Sequence, residues 1–167
     1  MSPKTALVVL PLLLLPAAHA VAQAQADRPS CAILKGLDLK PLLGADHDAP
    51  VPFGKDSCRA ESNSPGRLII LAVEEGNAAE IKQSLATTKK MMAQHRAKEV
   101  TIAPEASLGP DAFSVREKAG SRGIEVYAVK GPRFVNIQGS WPNSKPLDDA
   151  SARQLVTLLK AALDKLP

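Results

Sequence analysis

The sequence predicts an α+β fold: an antiparallel sheet of about five strands, helices packed on one of its faces, and one disulfide. Three observations carry this. Arg67 to Val73 is β-branched-rich and almost continuously apolar, as a strand covered on both faces must be. Three later segments alternate apolar and polar residues and are joined by hairpin-length, glycine-containing turns. Two stretches with helical spacing flank those three segments.

The first residues are set apart from this pattern. Lys4, then the 13-residue apolar stretch Ala6 to Ala18, then small-x-small sites such as Ala18-His19-Ala20 and Ala24-Gln25-Ala26 have the layout of a secretory signal. Residues 1–26 are therefore expected to be signal peptide and leader, and residues 27–167 a single α+β domain. The stretch is shorter than the roughly 20 residues of a membrane span, and Pro11 and Pro16 interrupt it. No second long apolar run follows, so a chain that does not span a membrane, periplasmic or secreted, is expected.

Export sets the reading of the cysteines. Cys31 and Cys58 form an even pair in a compartment where thiols oxidise, so a disulfide is expected. A catalytic thiol needs a histidine beside it, and a zinc site needs about four ligands; the sequence offers neither pattern.

The elements follow in order. Cys31-Ala32-Ile33-Leu34 makes one apolar turn, and Leu37 to Leu43 a short helix stopped by Gly44. Ala45 to Lys55, with Pro50, Pro52 and Gly54, reads as a loop. A short strand around Cys58 pairs through the Ser64-Pro65-Gly66 turn with the Arg67–Val73 strand. Asn77, with Glu80 three residues on, opens a helix running to about Arg96 on Ala78, Ile81, Leu85, Met92 and His95. Strands then cover Ala112 to Lys118, Ile124 to Lys130 and Arg133 to Gln138, turning at Gly120-Ser121-Arg122-Gly123 and Gly131-Pro132. A corner from Trp141 to Pro146 leads to the closing helix. Its stripe is Ala152, Leu155, Val156, Leu159, Ala162, Leu163 and Leu166, with Asp148 and Asp149 at the start and Lys165 in the last turn.

The frame Cys31-x-x-Leu34, Leu39-x-x-Leu42-Leu43-Gly44, Cys58 and Leu108-Gly109-x-x-Ala112-Phe113 resembles a family of small exported bacterial proteins, mostly lipoproteins of unknown function common in actinobacteria. The resemblance implies an α+β sheet with helices on one side, of the Mog1/PsbP type seen in small ligand-binding or accessory domains. It carries over no catalytic residue. This chain departs from it by lacking a lipidation cysteine, and Arg59 follows Cys58 where an aromatic is often seen.

Composition narrows the function. The formal charge is +4, or +3 without Lys4, too weak to imply a polyanion, and aromatics are only 3%. No nucleic-acid partner is expected: Lys89, Lys90, Arg96 and Lys98 lie on a helix with no interleaved aromatics. Asp46-His47-Asp48 and the group Met91, Met92 and His95 contain metal-ligand types, but neighbouring side chains on a loop seldom converge, and methionines at helical spacing fill cores. No cofactor or metal is expected. There is no Gly-x-Ser-x-Gly elbow or phosphate loop, and nothing places two of Glu74, Glu75 and Glu105 across a cleft. The expectation is a non-catalytic binding or accessory module of the bacterial cell envelope, its partner an envelope protein or a small ligand. An inhibitor or immunity protein against a toxin or wall hydrolase is the alternative, and a hydrolytic enzyme the third reading. Phe53 and Trp141 are the candidate partner contacts, Trp141 being either an exposed anchor or a lid over the core edge.

Overall fold

The structure, a computed structural model, describes residues 28–63, 66–118, 123–142 and 147–167. The signal segment with its expected cleavage sites lies outside the described residues. So do Ser64 and Pro65, Gly120 to Arg122, and the corner from Asn143 to Pro146.

Two short helices come first, α1 (Pro29–Lys35) and α2 (Lys40–Leu43). Each has a proline in its first turn, where a missing N–H costs nothing. Strands β1 (Val51–Phe53), β2 (Ser57–Glu61) and β3 (Leu68–Glu75) follow, then helix α3 (Ala78–His95) and strand β4 (Val100–Pro104). A 3₁₀ turn at Ala106–Leu108 leads into β5 (Phe113–Glu117), β6 (Gly123–Lys130) and β7 (Arg133–Ser140), and α4 (Asp149–Lys165) closes the chain.

All the strands lie in one antiparallel sheet of order β1-β2-β3-β7-β6-β5-β4. The expected β2–β3 hairpin is present, with Cys58 opposite Leu71. The expected meander is also present but begins one strand earlier, at β4. Its last turn is Gly131-Pro132. Gly131 takes φ 58°, a left-handed conformation that a side chain would resist, and the ring of Pro132 holds its own φ negative. β3 pairs with β7 along eight residues, so the N-terminal hairpin joins the meander at the sheet centre.

Among the described residues the sheet therefore has seven strands rather than about five. β1 hides in the proline-rich stretch read as a loop; as the outermost strand it has a partner on one side only, where Pro52 is tolerated. β4 is the Val100-Thr101-Ile102 alternation directly after α3, too short to stand out from its surroundings.

The helices also do not share one face, and this corrects the expectation. α1, α2 and α4 cover one face, where Leu34, Leu42, Leu155 and Leu159 meet Ile69, Leu71, Val126, Val135 and Ile137. α3 lies on the other, where Leu85 meets Val100, Phe113, Val115 and Tyr127. Val126 and Tyr127 are neighbours on β6, and successive strand residues point to opposite faces, so the two clusters have the sheet between them. The connection explains it: α3 links central β3 to edge strand β4 and crosses β7 and β6 on its way.

The helix ends are closed as their sequences foretell. The Asn77 side chain accepts the Ala79 N–H at 2.9 Å, and Asp148 accepts the Ser151 N–H at 2.7 Å. The far end of α4 is held from the sheet: Lys130 Nζ donates to the carbonyls of Leu163 and Leu166 at 2.7 and 2.8 Å. The disulfide Cys31–Cys58 ties α1 to β2 with Cα atoms 5.0 Å apart, both cysteines fully buried. Among the described residues no helix is long and apolar enough to cross a membrane.

Candidate functional site

Residues on β5 alternate Phe113, Ser114, Val115, Arg116. Phe113 and Val115 face α3 and join its core. Ser114 and Arg116 therefore face the side of α4, and in register they sit opposite Val126 and Ile124 of β6. α4 packs over β6 and β7, and its first residue, Asp149, meets β5 through Arg116. Where the covering helix stops, the sheet surface changes from Val126 and Val135 to Thr101, Ala103, Ser114 and Arg116.

The step between the flank of α4 and this bare stretch is a cleft of about 720 Å³. Ala103, Ile124, Ala152 and Val156 give it a small-residue apolar wall, and polar groups occupy the rest. Ser114 is only 5% exposed, and its hydroxyl donates to Glu105 Oε1 at 2.7 Å. Arg116 ties the sheet to the start of α4, pairing with Asp149 and donating to the Leu147 carbonyl at 2.9 Å. The hydrogen bond from Arg116, and then its charge, hold the Asp149 carboxyl below its usual range. Arg153, one turn further along α4, lines the same cleft.

The two expected partner contacts are not brought together. Phe53 is 44% exposed on β1, with the Arg59 guanidinium 5.5 Å over its ring. Trp141 is 4% exposed and belongs to the core under α4, so the lid reading describes it and it presents no indole to a partner. Register places Phe53 beside Ser57 and Ala72, on the face opposite Trp141.

The other candidates have local roles. Asp46 accepts from Asn63 at 2.8 Å, and the His47 ring is 2.9 Å from the Gly44 carbonyl. His95 and Met91 are exposed on α3, whereas Met92 packs onto its core. Glu75 accepts from Arg133 at 2.7 Å. Glu105 alone among the three glutamates lines the cleft, and no histidine is among the described lining residues. Among the described residues no group of three or more metal-ligand side chains converges.

Sequence reasoning passed over Ser114, Arg116, Asp149 and Arg153 as a site. The β5 alternation contained the signal, since a strand with one hydroxyl and one arginine on its second face offers little apolar surface for a helix to cover. No protein-family model matches this chain, and no curated protein matches it in sequence.

Proposed function

We propose that this protein is an exported, non-catalytic binding module of the bacterial cell envelope that holds its ligand in the cleft between α4 and strands β4 and β5. The observation that carries the reading is the polar floor. A sheet face waiting for a missing helix would be apolar, and this one presents Thr101, Ser114 and Arg116, with Glu105 just past the end of β4. Concave sites with an apolar wall and a few convergent polar groups are the usual setting for a small ligand. The Ser114 hydroxyl is almost fully buried and donates to Glu105, which supports a role in holding that carboxylate over a role as a nucleophile presented to a substrate. The signal layout and the buried disulfide support export.

A thermal-shift screen of envelope metabolites, wall fragments and short peptides tests the reading, run on the native protein and on Thr157→Trp. Thr157 is an exposed position on the cleft rim, so its replacement narrows the cleft and spares the core. Ligands that stabilise the native protein and lose their effect on the variant are the expected result. Stabilisation that survives the block, or none at all, defeats the proposal. The inhibitor reading draws on a different observation, the exposed Val51 and Phe53 on outer strand β1. It requires Phe53→Asp, and not Thr157→Trp, to abolish capture of a partner protein.

A further inference from the structure

We infer that the cleft takes a short peptide of small residues with both ends free, its ammonium at Glu105 and its carboxylate at Arg153. This rests on the binding reading and names its ligand class. The first ground is charge balance. Arg116, Lys118 and Arg153 line the cleft against Glu105, Glu117 and Asp149, so neither a polyanion nor a polycation is matched by it.

The second ground is which of these charges are already committed. Arg116 and Asp149 satisfy each other, and Lys118 Nζ donates to the Ala97 carbonyl at 2.6 Å. Glu105 has one oxygen on Ser114, and its second has no partner among the described residues. The hydroxyl bond fixes the carboxylate in place, which prepares it for a cation at little further ordering cost. The Arg153 side chain makes no hydrogen bond or close ion pair with the described residues; its charge helps hold the Asp149 carboxyl down, but that carboxylate is already paired with Arg116. One anchored carboxylate and one uncommitted guanidinium in a single cleft select a ligand with a positive and a negative end.

Size and lining decide between a lone zwitterion and a peptide. About 720 Å³ is too large for one amino acid and accommodates roughly three or four residues. Ala103, Ala152 and Val156 leave space for methyl-sized side chains; the Thr101 hydroxyl can serve peptide amides, and that of Thr157, which donates to the Arg153 carbonyl, can accept from a peptide N–H. The described lining has no aromatic ring on which a sugar or base would stack.

The test is an NMR and calorimetric titration with tetra-alanine in four forms: free, N-acetylated, C-amidated and doubly capped. The native protein is compared with Glu105→Gln, which keeps an acceptor for Ser114, and with Arg153→Gln on the helix surface. Free tetra-alanine should shift cleft resonances, and each cap should weaken binding about tenfold. The acetyl penalty should vanish in Glu105→Gln and the amide penalty in Arg153→Gln, as coupled pairs require. Capped peptide binding as tightly as free, or penalties that persist in the variants, overturns the assignment of the two ends. No cleft response to any form overturns the peptide class; the binding proposal still stands if the broader screen gives cleft ligands of another kind.

Discussion

Gly139 faces α4 from β7, and Trp141 folds back over the bare backbone it leaves. A β-carbon at this position would lie 2.4 Å from an indole carbon of Trp141 and 3.1 Å from a Leu155 methyl. Gly139→Ala should therefore cost about 2 kcal/mol by overpacking. Urea unfolding followed by the fluorescence of Trp141, the sole tryptophan, should show a lower midpoint at unchanged slope; an unshifted midpoint would mean that the ring can relocate freely. Tyr127 makes a prediction in pH. Burial first, then its hydrogen bond to Glu125, raises the phenol well above its ordinary value near 10. The folded state keeps the proton that the unfolded chain loses near pH 10, so the contribution of Tyr127 is complete below about pH 10 and declines above it. The decline should approach, at most, about 1.4 kcal/mol per pH unit. In Tyr127→Phe, which keeps the ring stacked 4.9 Å from Phe113, that part of the alkaline loss should be absent. Parallel curves for the two proteins above pH 10 would refute it. At this scale the sequence was a mixed guide. The Ser114 and Arg116 alternation was visible, but whether Trp141 was anchor or lid depended on a glycine two residues away and on a helix that begins eight residues on.

The elements were read best where one periodic pattern ran long. The α4 stripe buries Ala152, Leu155, Leu159, Ala162 and Leu163 as its spacing required, and Asp148 caps it. What closes its other end was not legible, because the donor is Lys130, 33 residues away from Leu163 along the chain. Lys130→Met keeps the apolar stem and removes the donor for two carbonyls. A loss of about 1–2 kcal/mol is expected, with faster amide hydrogen exchange confined to the last turn of α4. Exchange unchanged there would show that water serves those carbonyls equally well. α3 was located by its cap and its stripe, yet only Ile81 and Leu85 of that stripe are buried. Strands β1 and β4 escaped notice because three to five residues hold too few alternations to rise above loop composition.

For the whole molecule, the cross-link between α1 and β2 spans 27 residues of chain. Closing a loop of that length constrains the unfolded state by about 3–4 kcal/mol on the chain-entropy model. Reduction, or the double replacement Cys31→Ala with Cys58→Ala, should lower unfolding stability by that order, and equal midpoints with and without reductant would remove the staple from the account. The sequence by itself determined what is local and periodic: the class of each long element, the face each strand residue takes relative to its neighbour, and a cysteine pair fit to oxidise. Tertiary structure alone decided the side of the sheet on which α3 packs, the seating of Trp141 and the existence of the cleft. An amphipathic helix fits either face of a sheet equally well, and the choice falls to the path from β3 to β4. A cleft, likewise, is the space left where α4 ends and the sheet continues, which no single segment encodes.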